Sequence, residues 1–206
     1  MMKDAACRLT PLGAMVLALL REDDMHPYEM IRLLRQRRDD RIVPITNGTM
    51  YHTVARLEKQ GLLAEVGVDR DGNRPERTTY TLTDAGDAAL VDWVRRELAT
   101  TDHPAEFRVA LAEAHNLPRE DVLELLRERL AGVAADRDAH GAALAGALAG
   151  GVFPQYLIEV DRQHALLEAD HTWLAAFIER LTDPAFVWGS HAATDRYLAH
   201  REAARQ

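Results

Sequence analysis

The chain has 206 residues, 47% of them hydrophobic and 6% aromatic, with a formal net charge of -8. Such a length buries one good core or two small ones, and the acidic balance excludes a protein that coats nucleic acid non-specifically. Cys7 is the sole cysteine, so no intramolecular disulfide forms and a reducing compartment is expected. Charge is unevenly spread. Residues 1–100 hold 15 Lys+Arg against 16 Asp+Glu, residues 101–206 hold 10 against 17, and within 25–80 the balance turns positive at 10 against 8. No apolar run approaches the roughly 20 residues that span a bilayer. The N-terminus MMKDAACRLT lacks the apolar core of a secretion signal, so a cytoplasmic protein with no membrane partner is expected.

Thr10-Pro11 predicts the start of a first helix, a capping hydroxyl followed by proline at the first helical position. Leu12, Val16, Leu19 and Leu20 then recur at helical spacing. His26-Pro27 opens a second helix with Tyr28, Ile31 and Leu34 facing inward, and Arg35, Arg37 and Arg38 place positive charge at its C-terminus. Thr46 caps a third, with Met50, Val54 and Leu57 as its buried stripe and Gly61 as its left-handed stop. Leu62–Val68 and Arg77–Leu82 are β-rich runs, and Asp71-Gly72 between them is a strong turn signal. Thr83 caps a fourth helix.

The segment Thr100 to Pro104 breaks the pattern and predicts a domain boundary, giving a DNA-binding unit over 1–102 and a helical unit over 103–206. The second unit reads as helices over about 105–116, 118–148 and Pro154–Leu181, then a loop with Phe186, Trp188 and Gly189 and a short polar helix. The fold class is mainly α with a small β wing: an N-terminal winged helix-turn-helix followed by a helical dimerisation domain.

On a helical wheel for 46–60, the side opposite Met50, Val54 and Leu57 carries Thr49, His52, Arg56 and Lys59, and none of these is acidic. A recognition helix needs such a face to approach base edges and phosphates without carboxylate repulsion. Thr46, Asn47 and Thr49 at the helix start suit phosphate contacts, and Arg56 suits a guanine edge or a phosphate. The wing tip adds Arg70, Asn73, Arg74 and Arg77. A solvated helix beside a charged hairpin loop is the bland alternative. The joint order of three capped helices, a basic helix face and an Arg-tipped hairpin favours double-stranded DNA as the partner. A winged helix used for protein–protein contact is the competing reading.

These residues resemble the PadR family of bacterial transcriptional regulators. The resemblance rests on Leu9-Thr10-Pro11-Leu12-Gly13, His26-Pro27-Tyr28-Glu29-Met30, Gly48-Thr49-Met50-Tyr51, Arg56-Leu57-Glu58, Gly61-Leu62-Leu63, Tyr80-Thr81-Leu82-Thr83 and Ala85-Gly86. Pro27 and His52 depart from the family pattern, so His52 stands on the reading face without precedent there. The resemblance covers 9–100 by motif and 105–181 by helical pattern, like the two-domain subfamily. It implies Thr49, Tyr51 and Arg56 at the DNA interface, a homodimer, and repression until a small-molecule effector binds.

Phe153, Leu157, Val160, His164, Leu167, His171, Leu174, Ile178 and Leu181 fall at alternating +4 and +3 steps, a coiled-coil-like dimerisation seam. Val122, Leu126, Val133, His140 and Leu144 answer it from the preceding helix, and a turn at Gly150-Gly151 lets the two form an antiparallel hairpin. Asp161, His164, Glu168 and His171 have i, i+3 spacing that could hold a metal for some activity, but interface polar residues are the preferred reading and neither metal nor cofactor is expected. A pH-sensitive dimer is a weaker idea from the same histidines. Trp93 and Trp173 are candidates to line an effector pocket. Enzyme chemistry finds little support, since no phosphate loop, nucleophile elbow or zinc-spaced cysteines occur.

Overall fold

Local capping chemistry decides where each N-terminal helix starts. The structure, a computed structural model, describes residues 9–69, 77–189, 199 and 202–203. In α1 (Pro11–Glu22) the Thr10 hydroxyl accepts the Gly13 N–H at 3.2 Å. In α2 (Pro27–Gln36) His26 Nδ1 accepts the Tyr28 N–H at 3.1 Å, so an imidazole takes the place of the usual hydroxyl. Helices α3 (Asn47–Lys59) and α4 (Asp84–Ala99) are capped by Thr46 and Thr83.

Every residue of α1 from Leu12 to Leu20 is buried, not only the expected stripe. Helices α3, α4 and α5 (Pro104–Ala112) and strand β2 (Arg77–Leu82) all pack on it, which leaves it no solvent face. In α2 the expectation for Tyr28 fails. Pro27, Met30, Ile31, Leu33 and Leu34 form the buried side, so Tyr28 shares the outer side with Arg32, whose guanidinium lies 5.9 Å from its ring centroid.

Strand β1 (Leu63–Asp69) pairs antiparallel with β2, from Leu63 opposite Leu82 to Asp69 opposite Arg77, with an irregularity between Glu65 and Gly67. Met25 adds an isolated bridge: its N–H donates to the Tyr80 carbonyl at 3.0 Å and its carbonyl accepts the Tyr80 N–H at 3.1 Å. The base of this hairpin is tightly tied. Gly61 stops α3 at φ +72, its carbonyl accepts from the Thr83 hydroxyl at 2.8 Å, and the Leu62 carbonyl accepts the Thr83 N–H at 3.3 Å. A Cβ on Gly86 would lie 1.9 Å from the Leu62 carbonyl oxygen, so only glycine lets α4 start this close to the strand.

Beyond α4 the chain is helical. A 3-10 turn at Ala114–Asn116 follows α5, then α6 (Arg119–Ala149) and α7 (Ile158–Thr182) run antiparallel. Pro154 starts only a 3-10 turn, Pro154–Tyr156, and α7 begins four residues later than the sequence suggests, because the turn closes on its own Phe153 and Pro154 carbonyls. Arg119 ties the far end of the pair by donating to the carbonyls of Leu181, Asp183 and Phe186. The core is continuous from α1 through α4 and α5 to the first half of α6 and the last turns of α7. Glu97 is buried at the α4–α5 joint, where Arg96 Nε and His103 Nδ1 meet its carboxylate at 2.9 and 3.0 Å. Arg129, also buried, donates to the Thr100 carbonyl and lies 3.5 Å over the Phe107 ring.

Glu113, at the end of α5, is held up at about 7 by burial, reinforced by the negative charges of Glu22 and Asp39 and opposed by Arg37. A carboxyl that keeps its proton longer when folded makes the fold more stable at low pH and less so as pH rises through that value. Between pH 4.5 and 7 the unfolded chain therefore releases this proton first. Glu113→Gln should gain on the order of 2 kcal/mol relative to wild type between pH 5 and pH 8. Urea unfolding at the two pH values checks this, and parallel behaviour of the two proteins counts against it. Gly86→Ala should lower stability by about 1–3 kcal/mol through overpacking, read as a drop in urea midpoint.

Candidate nucleic-acid interface

Helix α3 is built from the capping box upward. Thr46 Oγ1 accepts the Thr49 N–H at 3.1 Å while Thr49 Oγ1 accepts the Thr46 N–H at 3.0 Å. Met50, Thr53, Val54 and Leu57 are buried beneath it. Asn47, Thr49, Tyr51, His52, Ala55 and Lys59 are exposed on the outer side. The Tyr51 ring meets His26 edge-on at 6.2 Å, joining α3 to the start of α2.

Arg56 differs from its neighbours on the wheel. It is half-buried, and its Nη2 donates to Thr10 Oγ1 at 2.8 Å, the same oxygen that caps α1. Its Nε is buried without a hydrogen-bond partner. The guanidinium is thus fixed beside the N-terminus of α1, where aligned peptide dipoles also present positive charge. Two positive ends side by side make that corner electrostatically suited to an anion. The wing tip cannot be placed in the same way: Arg70, Asn73 and Arg74 lie outside the described residues. Arg77 opens β2, but its side chain is likewise outside them.

The predicted seam of α7 divides along its length. Leu174, Ile178 and Leu181 are buried in the chain's own core, Leu157, Val160, His164, Leu167 and His171 are half-buried, and Phe153, ahead of the helix, is 69% exposed. The large apolar side chains left outward on this hairpin include Leu148, Tyr156, Ile158, Leu166 and Trp173. His164 Nδ1 lies 3.1 Å from the Arg137 carbonyl and His140 Nδ1 2.8 Å from that of Asp136. Among the described residues, no three His, Cys, Asp or Glu side chains group closely enough to hold a metal ion. Trp93 is fully buried on α4, whereas Trp173 is 42% exposed and stacks on Phe177 at 5.2 Å, so the two occupy different surroundings.

One feature escaped the sequence reading. Arg35, Arg37, Arg38, Asp40 and Arg41 line a cavity of about 670 Å³ at the turn after α2. The run RQRRDDR carries the signal, but in sequence Arg35, Arg37 and Arg38 read as charge at the helix C-terminus.

With α2 and α3 set against a hairpin wing, the first part of the chain is a winged helix. Residues 16–92 match the model of the transcriptional regulator PadR-like family. That family is one of transcriptional regulators. Among solved structures the chain is similar to Bacillus subtilis PadR in complex with operator DNA, at 19% identity over 85% of this chain and 99% of that one, TM-score 0.41. It is also similar to smu.1604c from Streptococcus mutans UA159, at 20% identity over 81% and 98%, TM-score 0.38. A third is Bacillus subtilis PadR with p-coumaric acid, at 18% identity over 84% and 100%, TM-score 0.38. Among curated proteins no relative matches. No helix among the described residues is long and apolar enough to cross a membrane.

Because Thr46 and Thr49 share one box, Thr46→Ala should cost about 0.5–2 kcal/mol, and Thr46→Ala/Thr49→Ala should cost less than the sum of the single changes. Thermal melts of the three variants check this, and full additivity would separate the two hydroxyls.

Proposed function

We propose that the protein is a sequence-specific DNA-binding transcriptional regulator, a PadR-like repressor that acts as a homodimer on a pseudo-palindromic operator and is relieved by a small-molecule effector. The observation that carries the reading is the PadR-like domain over residues 16–92, whose third helix turns an acid-free side outward. Asn47, Thr49, Tyr51, His52 and Lys59 are the groups assigned to the major groove, with the wing residues Arg70, Asn73, Arg74 and Arg77 beside it.

Arg56 takes a different part from that of a base reader. Held by Thr10 next to the positive end of α1, it is suited to a backbone phosphate, which fixes the register of α3 without carrying sequence information. Residues 1–102 form the reading unit and 103–206 the pairing unit in this proposal. The seam from Leu157 to Leu181 holds the α6–α7 hairpin together, and the outward Ile158, Leu166 and Trp173 meet the second copy. Pairing places two reading helices at a fixed separation, as a two-fold symmetric site requires.

Footprinting on the intergenic DNA upstream of the gene tests the reading. A symmetric protected site with affinity falling steeply in salt is expected, and salt-insensitive or absent binding would sink it. Arg56→Ala should weaken binding roughly equally across operator variants, by about 1–3 kcal/mol, and lower the salt slope by about one. A change of base preference at a single position would instead make Arg56 a base reader.

A further inference from the structure

The arginine-lined cavity after α2 lies outside the reading helix and is unused by the function proposed above. In a protein of net charge -8, arginines have carboxylates at hand. Arg21, Arg37, Arg95, Arg96 and Arg137 each pair with one, to Asp87, Glu22, Asp121, Glu97 and Asp138. Among the described residues Arg35, Arg38 and Arg41 form no such bridge, as Arg127 and Arg162 do not elsewhere; what sets these three apart is that all are exposed around one concavity, with the Asp39 carboxylate acting on Arg41. The rest of the wall is fixed. Glu22 clamps the Arg37 guanidinium through two bonds of 2.7 Å, and Arg108 on α5 donates to the Arg41 carbonyl at 3.2 Å.

Charge at the turn leans one way. Asp40 lines the cavity and opposes an anion, and Asp39, whose pKa burial raises against the pull of Arg37 and Arg41, adds a second carboxylate at the turn. Arg38 itself sits in the left-handed region at φ 63, ψ 30, a conformation that glycine or asparagine adopts more cheaply. An arginine kept at that cost, with two more exposed guanidiniums facing the same space, is how a multiply charged anion is gathered by several fork-shaped donors.

We propose that this cavity binds a phosphoryl anion carrying more than one negative charge, through Arg35, Arg38 and Arg41 on a frame held by the Arg37–Glu22 pair. The phosphoryl groups come either from a free phosphorylated small molecule or from the DNA backbone. The turn leads in a few residues to the Thr46 cap of α3, so an anion seated there acts on the segment that positions the reading helix. The free-ligand case is independent of the proposed function, and the DNA case rests on it.

Tripolyphosphate is the probe, titrated calorimetrically into the full chain, and a DNA duplex carrying the footprinted site is titrated separately. Arg38→Ala/Arg41→Ala is compared with Arg127→Ala/Arg162→Ala, which removes equal charge at exposed positions outside the cavity. The site assigns at least about a tenfold loss of tripolyphosphate affinity to the first pair relative to the second. Asp40→Asn should tighten binding about two- to tenfold, an effect that a merely structural loop would not produce. If the cavity pair instead loses DNA affinity and salt slope beyond the control, the phosphates are those of the backbone. Equal behaviour of the cavity and control pairs with both probes overturns the site. Failure of the wild type to bind any duplex would overturn the proposed function, and the tripolyphosphate titration would still decide the cavity.

Discussion

The structure depends on α1 having no solvent face. A helix buried from Leu12 to Leu20 must be enclosed by other elements on all sides. Helices α3, α4 and α5 and strand β2 all pack against it. The winged helix and the first helix beyond it therefore lean on the same apolar rod. Its N-terminal cap has a second task, since the Thr10 oxygen that closes the first turn of α1 also holds Arg56 of α3. Capping, normally a local matter, here fixes how one helix sits against another.

The same economy recurs at the base of the wing. Gly61 stops α3, Thr83 starts α4, and the hydroxyl of one meets the carbonyl of the other at 2.8 Å, with Gly86 allowing the close approach. The strands then leave this knot as a hairpin whose angle to α3 is set by four residues. The bridge from Met25 to Tyr80 stitches the hairpin to the turn before α2 as well. Helices α2, α3 and α4 are thus all referenced to one short sheet.

Much of this was legible in the sequence because caps and stops are local chemistry. Thr10, His26, Thr46 and Thr83 mark helix starts by side-chain bonds that need no tertiary partner, and Gly61 marks a backbone conformation. What escaped was set by distant parts of the chain. Tyr28 has the right spacing for a core residue, but the helix turns it outward because Pro27 and Ile31 already occupy that side. Arg56 lies on the basic side of the wheel, yet Thr10, 46 positions away, draws it inward. The Met25 bridge involves a single residue, which no periodicity can reveal. The arginines at 35–41 read as helix-end charge because their convergence depends on the left-handed turn at Arg38. The seam of α7 was recognisable as apolar spacing, but spacing alone does not say which half meets the chain's own core.

That division of α7 has a mechanical meaning. The core residues of α6 end at Val133 and those of α7 begin at Leu174, so the distal part of the hairpin stands clear of the rest. From Val133 to Ala149 the helix extends about 24 Å. It is a lever. A rotation of about 10° where Arg129 lies over Phe107, about 30 Å from the tip, would sweep the tip by roughly 5 Å. Two such levers joined at their tips would convert small repacking at the base into a change in the spacing of whatever the bases carry.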